Sequence, residues 1–515
     1  MSEGAVAAGH PLTAEAGARM LREGGNAVDA AVAAVAASFA TESPLTGLGA
    51  GGFMLVHEGG ENVLLDFFVE TPGRGGVERG EELLPVSVIF DETPQIFNVG
   101  AASCGVPGTP AGLVEAARRF GSMPLSALLA PAVELAREGV RVNAQQAYIH
   151  SLLEPITDAF GETRRLYSPG GRILGEGDVF RFAELADALE LLGAEGSEPF
   201  YRGDVAERLS DWVLERGGTV SREDLASYEV VDRAPVRARF AGREVLSNPP
   251  PSSGGILIAF CLELLERLGE AGVEELVAVM AEAQAARTVE FHSGLYEPGF
   301  DGRFLAAERL DEAAAAAKAR RRPGGAAGPG DALGSTTHIT AVDAEGRCAA
   351  VTCSNGTGSG MLPPGTGVHV NSMLGEHDLN PLGFHLLPAG RRVTSMMAPT
   401  LVLNGGELEA ALGSGGSNRI RSAILQTVVH LLADRMPVQP AVDAGRVHFE
   451  QDVVQAEPGV DAGALECLER AGYRVARWGR LNLYFGGVHA IARDPIGGGL
   501  AGAGDPRRGG AVALA

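Results

Sequence analysis

The residues with the clearest chemical potential lie in Gly334-Ser335-Thr336-Thr337-His338-Ile339-Thr340-Ala341-Val342-Asp343, and Thr336 is the first of the paired threonines. A chain cut before Thr336 gives that residue a free α-amine. The amine can act as base for the threonine's own hydroxyl, which is the N-terminal form of nucleophile activation. The stretch opens a β-hairpin that returns through Cys348-Ala349-Ala350-Val351-Thr352-Cys353-Ser354, with Asp343-Ala344-Glu345-Gly346-Arg347 as its turn. A turn centred on Glu345 sets residue 336 opposite Ser354, at a Cβ separation of about 4.5 to 5.5 Å. A one-residue change of register puts Asn355 there instead, and either side chain can hydrogen-bond the threonine. Taken alone, Ser-Thr-Thr also reads as an ordinary β-prone strand start.

Other polar residues carry less chemistry. His338 reads as structural, because a terminal amine already fills the role of base. His369, His377 and His385 share no one helix at ligand spacing, so no metal is expected. The glycines at 47, 49, 51 and 52 lack the Lys-Ser/Thr ending of a phosphate loop and read as close packing at a strand entrance. The five cysteines are odd in number and show no CxxC spacing, which excludes a disulfide framework or zinc site and fits a reduced compartment. Nothing implies a cofactor.

The elements that must position Thr336 are legible from periodicity. Residues 11 to 42 predict two helices separated by Gly24-Gly25, the second almost entirely Ala/Val and therefore buried on all sides. A strand from Phe53 turns at 57–62 and returns through Val63 to Phe68. Helical spacing covers 109–120, 124–139, 179–215 and 274–293, with a capped turn at 221–228 and an apolar helix from Ile256 to Leu268. Strands are expected near 235–247, 338–343, 347–354, 367–372, 399–404, 408–413 and 486–492, and helices at 418–434 and 461–471. Strands and helices grouped in runs favour stacked layers over a doubly wound sheet. From Ala313 the chain runs through alanines and arginines into Pro323-Gly324-Gly325-Ala326-Ala327-Gly328-Pro329-Gly330, a Gly/Pro half that cannot hold regular structure, so residues 319–334 are expected to be mobile and accessible just before Thr336.

With 515 residues, 45% apolar and 21% charged, the chain is globular and large enough for one sizeable layered unit. Its net charge of −23 disfavours nucleic acid and anionic membranes as partners. The N-terminus has no basic n-region or apolar h-region, and no apolar run reaches membrane-spanning length. A cytoplasmic location is expected, unless a signal peptide has already been trimmed.

A global resemblance now gives these features roles. The sequence resembles the γ-glutamyltranspeptidases (γ-glutamyltransferases, glutathione hydrolases) of the N-terminal-nucleophile hydrolases. The match is carried by Glu23-Gly24-Gly25-Asn26-Ala27-Val28-Asp29-Ala30, Gly49-Ala50-Gly51-Gly52-Phe53-Met54, Val106-Pro107-Gly108-Thr109-Pro110-Ala111-Gly112, Pro249-Pro250-Pro251-Ser252-Ser253-Gly254-Gly255, Thr336-Thr337-His338, Ser395-Met396-Met397-Ala398-Pro399-Thr400 and Asp505-Pro506-Arg507. It implies an α+β, four-layer αββα sandwich made as one precursor. The precursor cleaves itself into a large subunit, 1–335, and a small one, 336–515, which stay together as one unit; dimerisation of that unit is left open. By the same resemblance Thr336 is the processing residue and acyl-enzyme nucleophile, assisted by Ser354. Thr394 and Ser395 match hydroxyls that hold a substrate carboxylate. Gly415-Gly416 or Gly416-Ser417 match the pair whose N–H groups stabilise an oxyanion, typically worth roughly 2.7 to 4 kcal/mol per donor.

The departures concern substrate recognition. Where the family pattern has an arginine gripping the γ-glutamyl α-carboxylate, Asp66-Phe67-Phe68 supplies Phe68. Glu376 stands for the acidic residue that binds the α-amino group, and Met373 replaces its polar partner. Only residues 377–393 separate Glu376 from Thr394, too few for the usual lid, which favours hydrolysis over transfer. Arg391, Arg392 and Arg419 are candidates to replace the missing cation. Three readings follow: a γ-glutamyl hydrolase acting on glutathione and related amides, a relative acting on another small acyl amide such as oxamate or a β-lactam side chain, and an unprocessed non-catalytic binding relative.

Overall fold

The computed structural model describes residues 4–77, 80, 82–90, 93–319, 336–494 and 499–515. The segment expected to be mobile therefore lies outside the described residues from 320 onward, as does Ser335.

Two sheets face each other, their strands numbered here in chain order. The seven-stranded sheet contains β1 (Ala5–Ala8), β2 (Gly51–Glu58), β3 (Glu61–Phe67), β4 (Val231–Arg233), β7 (Thr337–Val342), β8 (Cys348–Ser354) and β13 (Ala511–Leu514), in the order β13-β1-β7-β8-β2-β3-β4. The six-stranded sheet contains β5 (Val236–Phe240), β6 (Arg243–Ser247), β9 (Thr400–Asn404), β10 (Glu407–Gly415), β11 (Gly487–Arg493) and β12 (Leu500–Gly504), in the order β12-β11-β10-β9-β6-β5. Both sheets are built from both segments: in the first, β1 lies between β13 and β7, and in the second, β9 pairs with β6, so the parts before and after Thr336 share their hydrophobic cores.

Helices cover both outer faces. Helices α1 (Pro11–Arg22) and α2 (Ala27–Thr41) lie on the first sheet, whereas α3 (Gly254–Leu268) and α4 (Arg419–Leu432) lie on the second. The result is the four-layer αββα sandwich. Every residue of α2 is buried, as its Ala/Val composition requires, and Asn26 with Asp29 closes its N-terminus in a capping box.

The period of 2 in β7 sorts its side chains between layers. Ile339 and Ala341 join the helix-side core with Val28, Val32 and Val35 of α2. Val342 joins the core shared with the second sheet. Thr336, His338 and Thr340 fall on that inner face, and His338 lies against Gly413 of β10.

Several boundaries differ from the sequence expectation. The 179–215 run divides into Ala183–Glu195, Glu198–Tyr201 and Asp204–Leu214, and the 274–293 run into Val273–Ala285 and Val289–Gly294. Residues 367–372 are not a strand. They form a buried loop whose backbone bonds go to other loops: Val370 N–H to Met361 C=O at 2.9 Å, Ser359 N–H to Val370 C=O at 3.0 Å and Asn371 N–H to Gly49 C=O at 3.3 Å. Strand-like composition there reflects burial rather than ladder pairing.

Candidate active site

The site begins with the hairpin register. Asp343 Oδ1 accepts the N–H groups of Glu345 at 3.1 Å and Arg347 at 2.9 Å, and Gly346 takes φ +85° to close the turn. The ladder then pairs Val342 with Cys348 through to Thr337 with Cys353. One step beyond, Thr336 Oγ1 lies 3.3 Å from Ser354 Oγ. Of the two residues left open for this place, Ser354 occupies it. Its hydroxyl also accepts the Gly356 N–H at 3.0 Å. Asn355 points elsewhere, its Nδ2 donating to His369 C=O at 3.1 Å.

Thr336 is 3% exposed, at the rim where the two sheets meet. Gly415, the last residue of β10, comes so close that a Cβ on it would lie 2.2 Å from the Thr336 carbonyl oxygen. Gly416 and Ser417 continue the turn with φ of +125° and +52°, and the Ser417 hydroxyl donates to Asp378. Helix α4 starts two residues later. The structure thus brings Gly415 against the nucleophile's own residue, with Gly416 and Ser417 following it in the same turn.

His338 is held between two hydroxyls, Thr352 Oγ1 at 2.8 Å and Thr340 Oγ1 at 2.9 Å. Burial and the neighbouring His489 push its pKa well below the usual imidazole value, so it stays neutral. Its place is structural.

Glu376 lies against Gly356, two residues past Ser354. A Cβ on Gly356 would sit 2.5 Å from Glu376 Oε1, so Gly356, at φ +64°, is what admits the carboxyl. That oxygen is buried with no hydrogen-bond partner among the described residues, and burial pushes the acid up to about 8.

The hydroxyls at 394 and 395 are engaged by protein. Thr394 Oγ1 donates to Pro251 C=O at 2.8 Å, and Ser395 Oγ accepts the Met397 N–H at 3.1 Å. Phe68 is fully buried, stacked on Phe53 with centroids 5.2 Å apart. Its main chain is fixed by Asp66 Oδ1, which accepts its N–H at 2.9 Å, and by Tyr228, whose hydroxyl donates to its carbonyl at 2.7 Å. Phe68 is therefore a core residue of the interlayer, and it lines none of the open pockets described.

The candidate replacement cations are also accounted for. Arg392 pairs with Glu70 at 2.8 Å and Asp66 at 3.2 Å and lies over the Tyr228 ring. Arg391 lies 5.8 Å from the Tyr296 ring centroid, in a cleft that Thr336 does not line. Arg419 is fully buried against Tyr484, 3.6 Å from Glu450. None stands where Phe68 stands.

Two functional neighbours went unread in the sequence. Glu42, just past the end of α2, accepts the Thr337 hydroxyl at 2.6 Å and the Thr13 hydroxyl at 3.2 Å. Burial raises it to about 7, against the opposing pull of those bonds and of Arg508. Arg508 donates from Nη1 to the Thr336 carbonyl at 2.9 Å. Together with Ser43, Leu45, Gln145 and His150 they line a pocket beside the paired threonines. A signal for Arg508 was present in its adjacency to Asp505-Pro506-Arg507, and for Glu42 in an acid closing an otherwise apolar helix.

Comparison with known proteins bears on this arrangement. The gamma-glutamyltranspeptidase family model matches residues 13–515. The acylase ACY 1 proenzyme of Pseudomonas sp. (strain SE83) is 33% identical, over 96% of this chain and 91% of that one. The glutathione hydrolase proenzyme of Escherichia coli (strain K12) is 31% identical, over 98% and 90%. Among solved structures, cephalosporin acylase from Bacillus halodurans superposes with a TM-score of 0.84 at 26% identity, covering 99% of this chain and 96% of that one.

Proposed function

The chain belongs to the gamma-glutamyltranspeptidase family, and from that premise we propose a self-processing amide hydrolase whose acyl group is not γ-glutamyl. In the precursor, the Thr336 hydroxyl attacks the Ser335 carbonyl. The acyl group moves from nitrogen to oxygen, and water cleaves the ester, leaving subunits 1–335 and 336–515. The freed α-amine then takes the hydroxyl proton as Oγ1 attacks a substrate amide carbon, with Ser354 orienting the pair. The Gly415–Ser417 turn, packed against Thr336, supplies the N–H groups assigned here to the developing oxyanion. The amine returns its proton to the departing nitrogen, and water hydrolyses the threonyl ester.

The acyl preference rests on one observation: Phe68 is locked into the core where the family pattern has a carboxylate-gripping arginine. Glu376 supports it. A carboxyl protonated up to about 8 donates a hydrogen bond to an uncharged acceptor rather than countering an ammonium. The acylase names of similar proteins agree with this reading. The γ-glutamyl reading stays as the second, because Glu376, Thr394 and Ser395 retain that pattern and a glutathione hydrolase is 31% identical. The short 377–393 connection favours water over an amine as acceptor.

The test is a panel of amides given to the processed protein, with γ-glutamyl-4-nitroanilide set against amides of uncharged and dicarboxylic acids. The γ-glutamyl compound should fall on the order of 10²-fold below the best uncharged acyl amide in kcat/KM; a γ-glutamyl substrate at the top of the panel sinks the proposal. Because Glu376 loses its proton as pH rises through about 8, wild-type kcat/KM should decline above that pH. Glu376→Gln, which donates at every pH, should remove the decline.

A further inference from the structure

The C-terminal turn delivers a guanidinium to the nucleophile's own backbone. Asp505 opens a short helical turn over Pro506–Arg508, and its carboxylate accepts from Arg446 at 2.7 Å and from the Val488 N–H at 2.8 Å on one oxygen, and from the Arg507 N–H at 2.9 Å on the other. Arg507 is bound in turn by Glu457. With its neighbours fixed, Arg508 runs the other way, between two strand-end glycines. A Cβ on Gly487 would lie 2.1 Å from Arg508 Cδ, and one on Gly415 would lie 3.0 Å from Nη1. Nη1 reaches the Thr336 carbonyl at 2.9 Å, and Nε is buried with no hydrogen-bond partner among the described residues.

We propose that Arg508 is a positioning residue that fixes Thr336 through its carbonyl and, by placing a like charge beside the α-amine, keeps that amine in its free-base form. Backbone bond lengths put the amine within roughly 7 Å of the Nη1 donor. A like charge near that range disfavours an ammonium. Other charged and titratable groups surround Arg508. Asp505 lies on its own turn, Glu42 at the end of α2, Arg419 at the start of α4, Arg446 before the strand at 447–450, and His489 on β11. Burial brings Arg508 down to about 10, which leaves it a cation at neutral pH. Asp505 is already engaged by Arg446 and Arg507, and Glu42 is shared with two threonine hydroxyls.

The inference rests on Thr336 being an N-terminal nucleophile, so its test reads the amine itself. Processed wild type, Arg508→Gln and Arg508→Lys are treated with acetic anhydride across pH 5 to 10, and acetylation of the N-terminal peptide of the small subunit is quantified by mass spectrometry. The acid limb of kcat/KM is measured in parallel. In Arg508→Gln the amine should titrate about one unit higher, and activity should be about tenfold lower at pH 6 yet close to wild type by pH 9. Arg508→Lys should keep the wild-type titration. An unchanged amine titration in Arg508→Gln, or a loss of activity equal at all pH values, overturns the proposal. If Arg508→Gln is not cleaved, Gly487→Ala displaces the same side chain and must show the same upward shift. Absence of any chain starting at Thr336 in wild type would instead overturn the underlying reading, and the inference with it.

Discussion

Thr336→Ala yields one uncut chain of 515 residues in place of two, and hydrolysis of every amide in the panel falls by at least about 10³-fold. The size of the effect follows from the double use of one hydroxyl. Without Oγ1 nothing attacks the Ser335 carbonyl, so no α-amine is released, and the substrate has no nucleophile even if cleavage is supplied by other means. The substitution removes one buried hydroxyl whose donor bond goes to Ser354, so the fold should survive. Circular dichroism and melting temperature close to wild type, with no cleavage on a denaturing gel, are the expected pair of results. Cleavage of the alanine variant at the same bond would remove Thr336 from the processing chemistry, whereas an uncut wild type would return the chain to an unprocessed, non-catalytic binding role.

Asp505→Ala should be the costliest single change to stability away from the nucleophile. Asp505 is fully buried between Arg446 and Arg507, themselves 2% and 3% exposed. Burial alone would raise its carboxyl, but the two guanidiniums overcome this and hold it at about 2. Removing one member of such a network leaves uncompensated charge, at a cost of about 3 to 5 kcal/mol. With an unfolding entropy of roughly 2.1 cal/mol/K per residue, a chain this long should lose about 3 to 5 °C in apparent Tm. The sign with pH is fixed by the depressed pKa: the carboxylate's contribution is complete above the ordinary aspartate value and is lost as pH falls through about 2. The difference between wild type and variant should therefore shrink in strong acid. Activity should drop as well, because the turn that Asp505 organises carries Arg508. A variant with unchanged Tm at neutral pH would mean that the network is not what holds the turn.

What was legible in the sequence was what local pattern determines. The turn at 343–347 fixes the register that sets Thr336 beside Ser354, and the Ala/Val run of α2 requires a fully buried helix. Strand-like composition at 367–372 misled because a buried loop and a buried strand select similar side chains. Glu42 and Arg508 were unreadable for another reason. They stand 466 positions apart and converge only when β1, β7 and β13 assemble in one sheet. Phe68 was visible as a departure, but its stacking on Phe53 and the clasp from Tyr228 depend on packing that spacing does not encode.

The interleaving of strands in the first sheet bears on what a cut before Thr336 can do. In the first sheet β7 is hydrogen-bonded to β1 on one side and β8 on the other, while β1 is itself flanked by β13. A bond severed before Thr336 leaves the ladders of β7 intact, because that strand begins at Thr337. The two polypeptides would stay fastened under dilution that separates ordinary subunits, and would come apart only by unfolding together. Cleavage made in this frame exposes an amine without loosening the scaffold that aims it.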